Sequence, residues 1–103
     1  MNRWNIPQRL EAEVRTRDTA CIYCGVVFGS IDGHGSRASW EHIVNDARII
    51  TPENIALCCR SGNSSKGARL LADWIDSPYC KRRGIDRETV AETVKKALLL
   101  DSN

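Results

Sequence analysis

The sequence predicts a small α+β domain in which a β-hairpin and a helix are flanked by outer helices, and three observations carry that expectation. The chain has 103 residues, enough for one domain and too few for two, so residues 1–103 are read as a single unit. Helical periodicity occurs towards both ends, whereas the middle holds two short stretches of β-branched and aromatic residues. Five cysteines in so small a domain point to a staple, because a chain of this size buries only part of its apolar surface.

Each element has its own signal. Pro7 suits a first helical turn, and Ile6, Leu10 and Val14 recur every four residues, which predicts an amphipathic helix over 7–17. Cys21-Ile22-Tyr23-Cys24-Gly25 reads as a knuckle, with Gly25 supplying the backbone freedom of a thiolate turn. Val26-Val27-Phe28 reads as a short strand, and Gly29 to Arg37, with its glycines and serines, as a surface loop. Strands are expected over 38–44 and, after a turn around Thr51-Pro52-Glu53, over 55–58. Asn63-Ser64-Ser65 offers caps for a helix with an apolar stripe of Ala68, Leu71, Trp74 and Ile75, ended by Ser77-Pro78. Hairpin and helix together span about 38–76. The last helix is expected over 87–99, with Asp86 as its N-cap, Ile85 and Val90 at hydrophobic-staple spacing, and Lys95-Lys96 in its C-terminal half.

Composition excludes some classes. No apolar run approaches the ~18 residues of a membrane span. Arg3, Arg9 and Glu11 interrupt any secretion-signal pattern at the N-terminus, so a soluble, cytoplasmic protein is expected. An odd number of cysteines without an export signal argues for metal-bound thiolates rather than a disulfide framework. Net charge is only +2, but Arg60, Lys66, Arg69, Lys81, Arg82 and Arg83 crowd into a stretch holding two acids, Asp73 and Asp76. Clustered cations suit a polyanion, and equally a plain solvated face.

The chemistry-bearing residues fall into two sets. Cys21-x-x-Cys24 can present two thiolates to one tetrahedral ion, and Cys58, Cys59 and Cys80 lie downstream to complete it. Glu41-His42, Asn54 and Asn63 supply the other types that phosphodiester cleavage needs. Histidine suits a base near neutral pH, and a carboxylate plus an amide oxygen are hard ligands for Mg²⁺.

The order of these residues is more informative than their types. Arg17-Asp18-x-x-Cys21-x-x-Cys24-Gly25, then Glu41-His42-Ile43-Val44, Glu53-Asn54-Ile55-Ala56-Leu57 and Asn63-Ser64-Ser65-Lys66-Gly67 resemble an HNH endonuclease over roughly residues 17–80. The similarity is to the branch whose ββα-metal motif is stapled by paired cysteines. It implies a DNA-cleaving phosphodiesterase that leaves a 3′-hydroxyl and a 5′-phosphate. In it His42 would activate water, Glu41 (more often Asp in the family) and Asn63 would hold a catalytic Mg²⁺ or Mn²⁺, and Asn54 would fix the loop and the imidazole. With Asn63 in place of the final histidine, this is an HNN variant. Lys66 is expected on the first turn of the following helix against a phosphate, with Arg60, Arg69, Lys81, Arg82 and Arg83 as further DNA contacts. Structural Zn²⁺ would be bound by paired cysteines.

The chain departs from the family where the second pair reads Cys59-Arg60-Ser61-Gly62, since Gly62 cannot bind zinc. Either three cysteines take a replacement ligand or the zinc has been lost. The expected set is Cys21, Cys24, Cys59 and Cys80, with Cys58 as second choice and His34 as third. Alternation along a strand would also place Glu41 and His42 on opposite faces, so a strand end, bend or bulge is required there. Two other readings stand beside the nuclease: a non-catalytic zinc-stapled module that binds nucleic acid, and a phage-packaging accessory protein that kept the fold. A homodimer or a phage or restriction partner is compatible with either.

Overall fold

The computed structural model describes residues 5–29 and 34–101, and in it helix α1 runs from Gln8 to Arg17. A short 3₁₀ turn at His34–Ser36 leads into strand β1 (Ala38–His42), which pairs antiparallel with β2 (Ile55–Cys59). Four helices follow: α2 (Arg60–Lys66), α3 (Leu71–Trp74), α4 (Pro78–Arg83) and α5 (Glu92–Asp101). The result is a mixed α+β fold around a two-stranded sheet. None of the described helices is long and apolar enough to cross a membrane.

All five residues of β2 are buried, because both of its faces are covered. Leu10 and Val14 of α1, with Ile6 just before it, pack against Ile55 and Leu57 on one face, as the periodicity predicted. Ala56 and Cys58 face the larger core with Ile22, Tyr23, Trp74, Ile75 and Val94. The edge of β2 away from β1 is closed by side chains and by the Ile22 amide, which donates to the Leu57 carbonyl at 3.3 Å, rather than by a third strand. Asp18 accepts the Leu57 amide at 3.1 Å, and Arg17 donates to the Ile55 carbonyl at 2.9 Å while pairing with Asp18 at 2.8 Å. Capping an edge in this way leaves no unpaired row of backbone groups for another chain to join.

Three helical expectations are corrected. The helix after the hairpin begins at Arg60, before Asn63, because the Cys59 sulfur accepts the Gly62 amide and caps it. It stops at Gly67, whose φ of +51° other residues resist, so the chain restarts as α3. Leu71, Trp74 and Ile75 still form the buried stripe, but Ala68 is exposed. Ser77-Pro78 both follows α3 and starts α4, with Ser77 as N-cap and Pro78 in the first turn. Asp86 accepts the amides of Glu88 and Thr89 but caps only a turn over 87–89 and not the last helix, and Ile85 and Val90 are buried. The helix itself begins only at Glu92, because the Ala91 amide is drawn to the Ile22 carbonyl at 2.8 Å. Strand β1 ends at His42 rather than residue 44, and Val26-Val27-Phe28 contributes one isolated bridge, Ala20 to Val27. Of the expected loop over 29–37, residues 30–33 lie outside the described residues.

Candidate functional site

Two sites are built against opposite ends of the hairpin. At the first, the knuckle brings Cys21 and Cys24 to Cys59 at the end of β2, and the three sulfurs lie within 4.8 Å of one another. Cys24 Sγ and Cys59 Sγ are 3.8 Å apart. Zinc–sulfur bonds of about 2.3 Å in a tetrahedron require a sulfur–sulfur edge of roughly 3.8 Å. The thiol of Cys59, helped by the amides of Tyr23 and Cys24, stabilises a Cys21 thiolate against the penalty of burial and brings its pKa to about 5. A preformed thiolate and two adjacent thiols are a soft donor set that could hold a metal such as zinc.

The structure does not bring Cys80 to this cluster, which corrects the expected ligand set. With α4 starting at Pro78, Cys80 falls in its first turn, its amide capped by Ser77 at 3.3 Å and its side chain in the core. Cys58 sits opposite Ser39, where desolvation pushes its pKa far up, as expected for a packed thiol. The side chain of His34 lies outside the described residues.

The second site is a cleft of about 300 Å³ lined by Trp40, Glu41 and His42, by Asn45 and Ala47 of the following loop, and by Asn63, Gly67 and Ala68. Pairing stays regular through His42 opposite Ile55, so no bulge is involved. Three consecutive strand residues share one cleft because it runs along the edge of β1 away from β2, and His42 is the last residue of the strand. Burial, then the charge of Lys66, lowers the His42 pKa from its ordinary value, with Asp46 opposing. Its imidazole is therefore neutral near pH 7, the form a base needs.

Asn54 holds the loop that leaves β1. It accepts the Val44 amide at 2.7 Å and donates to the carbonyls of Val44 and Ile49 at 3.2 and 3.1 Å. Asn63 reaches back from α2 to β1, donating to Ser39 Oγ at 2.6 Å and to the Trp40 carbonyl at 3.3 Å.

Glu41 and Lys66 behave differently from expectation. Lys66 is the last residue of α2, not in the first turn, and is 1% exposed. Its ammonium lies 3.1 Å from Glu41 Oε2 and donates to the His42 carbonyl at 3.3 Å, so it is an internal counter-ion rather than a phosphate contact. Glu41 also accepts the Tyr23 hydroxyl at 2.5 Å. Burial raises the Glu41 pKa, and Lys66 and Tyr23 act against that rise.

Sequence reasoning did not find Tyr23, and its one signal was a hydroxyl-bearing aromatic between two cysteines at ligand spacing. Its ring packs edge-on against Trp74 at 4.8 Å and its hydroxyl reaches the cleft carboxylate, so one residue joins the two sites. The remaining basic residues, Arg60, Arg69, Lys81, Arg82 and Arg83, are exposed. Arg60 lines a neighbouring polar cleft of about 480 Å³ with Gly35, Ser39, Ser61, Asn63 and Ser64, so Asn63 is common to both clefts. Arg83 donates to Ser61 Oγ at 3.1 Å and lies over the Tyr79 ring.

No protein-family model, no curated protein and no solved structure matches the chain.

Proposed function

We propose that the protein is a metal-dependent nuclease of the HNH type that hydrolyses DNA phosphodiesters in the Glu41–His42–Asn63 cleft. The observation that carries this reading is the convergence of a buried His42 with Glu41 and Asn63 on one cleft, while Asn54 clamps the loop behind them. In this reading the hairpin followed by α2 is the ββα-metal unit. His42 takes a proton from the attacking water, and Asn54 holds the strand end that presents it. The carboxylate of Glu41 and the amide oxygen of Asn63 are the hard donors for Mg²⁺ or Mn²⁺, sharing Glu41 with Lys66. A divalent ion bound there supplies charge neutralisation at the phosphate and the leaving oxygen. The exposed arginines and Lys81 track the DNA backbone through charge, without reading sequence.

One observation favours a second reading. Because Lys66 already compensates Glu41 at 3.1 Å, the carboxylate is suited to a structural role in a thiolate-stapled module that binds nucleic acid without cutting it. Plasmid nicking with Mg²⁺, with EDTA and with His42→Ala separates the two. The nuclease reading expects metal-dependent cleavage that falls by about 10²-fold or more in His42→Ala while the fold persists, the usual effect of losing a general base. A variant cutting as fast as the native chain removes His42 from the mechanism. Metal-independent DNA binding with no cleavage establishes the second reading.

A further inference from the structure

The thiolate cluster carries a feature that neither reading of the cleft uses. Its two halves share one local geometry. In Cys21-x-x-Cys24 the Cys24 amide approaches Cys21 Sγ at 3.5 Å, and in Cys59-x-x-Gly62 the Gly62 amide donates to Cys59 Sγ at 3.3 Å. Position 62 is thus the counterpart of Cys24, and it carries no side chain. A Cβ built on Gly62 would sit at ordinary contact distance, 3.4 Å from Cys59 Sγ and 3.9 Å from Tyr23 Cδ2, so this position borders the Cys59 sulfur with room for a further atom. Among the described residues no other cysteine, histidine or carboxylate joins the three sulfurs.

We propose that Cys21, Cys24 and Cys59 form a three-thiolate metal site whose fourth coordination position, on the Gly62 side, takes an exogenous ligand. That ligand is water by default and a small anionic thiolate in competition with it. Zinc prefers four ligands, and a site with three protein ligands keeps the fourth position for water or a small molecule. The rim beside Gly62 favours an anion, because Ser61 Oγ lies 2.7 Å from the Tyr79 hydroxyl and accepts from Arg83, which also covers the Tyr79 ring. The charged end of a small mercapto acid would meet that guanidinium while its sulfur completes the tetrahedron. This inference rests on the cluster alone and is independent of whether the cleft cuts DNA.

X-ray absorption on the zinc-loaded full chain tests it. The native protein is expected to show three sulfurs near 2.3 Å and one oxygen or nitrogen near 2.0–2.1 Å, and Gly62→Cys four sulfurs. Gly62→Cys should also release zinc to a chelator at least about tenfold more slowly, a conservative figure for gaining a direct ligand when outer partners alone change affinity 10–100-fold. In the Co²⁺-loaded native protein, added mercaptoacetate should change the visible spectrum, whereas in Gly62→Cys it should not. Gly62→Ala, which adds only a methyl at that position, should weaken the mercaptoacetate response even if the cysteine variant fails to fold. Four sulfurs in the native protein overturn the proposal, and Cys80→Ser and Cys58→Ser then identify the extra one. Loss of the light scatterer in His34→Ala overturns it too, as does a native spectrum indifferent to mercaptoacetate or a chain that binds no metal.

Discussion

At the cluster of Cys21, Cys24 and Cys59, negative charge is held by N–H and S–H donors from neighbouring residues, while at the cleft the Glu41 carboxylate meets the buried ammonium of Lys66 at 3.1 Å. The first site offers soft donors already gathered at a spacing that suits one ion. The second offers hard donors whose principal carboxylate is already compensated. A cation entering the first site gains three sulfur ligands at little cost in rearrangement. A cation entering the second competes with an ion pair that the fold has buried, where removing either partner leaves an uncompensated charge. Tyr23 belongs to both, since its backbone is part of the knuckle and its hydroxyl binds Glu41.

Chelating the metal from zinc-loaded protein should produce the largest loss, since small thiolate sites contribute on the order of 10 kcal/mol of binding free energy to the folded state. Thermal unfolding in zinc and in EDTA measures this, and superimposable melting curves reduce the cluster to packed thiols. Next comes Lys66→Met, which should cost about 3–5 kcal/mol by stranding Glu41 in the interior. Combining it with Glu41→Gln should restore much of that loss in denaturant unfolding. A Lys66→Met chain as stable as the native one means the pair does not hold the cleft.

Tyr23→Phe is a smaller change, expected to cost about 1.5–3 kcal/mol for a hydrogen bond to a charged group. In a double-mutant cycle with Glu41→Gln the two costs should not add, because one removes the charge and the other the donor of the same charge-assisted hydrogen bond. Strict additivity severs the link between knuckle and cleft. Neutralising Lys81, Arg82 and Arg83 together should leave stability within about 0.5 kcal/mol, as these side chains are exposed. DNA affinity should fall for all sequences alike, with the salt slope reduced by ~0.9 for each phosphate that is no longer neutralised. An unaltered salt series assigns the stretch to a solvated face.

Local signals were legible before folding. The four-residue recurrence of Ile6, Leu10 and Val14 specifies the buried face of α1 and its approach, and Cys21-x-x-Cys24 specifies a turn that gathers two sulfurs. Both work because periodicity and chelate spacing are properties of a few consecutive residues. Helix boundaries were less legible, because Cys59 and Gly67 set the limits of α2 through a sulfur cap and a left-handed turn that composition did not announce.

The sequence by itself therefore determined the α+β class, the knuckle, where the two paired strands begin and the clamp-forming amide at Asn54. Tertiary structure alone decided that Lys66 turns inward to Glu41, that Cys80 joins the core, and that Tyr23 spans 18 residues to reach the cleft. The physical reason is that a side chain's partner depends on which faces of distant elements are pressed together. Asp18 meets Leu57 across 39 residues and Lys66 meets the His42 carbonyl across 24, separations over which no local pattern carries direction.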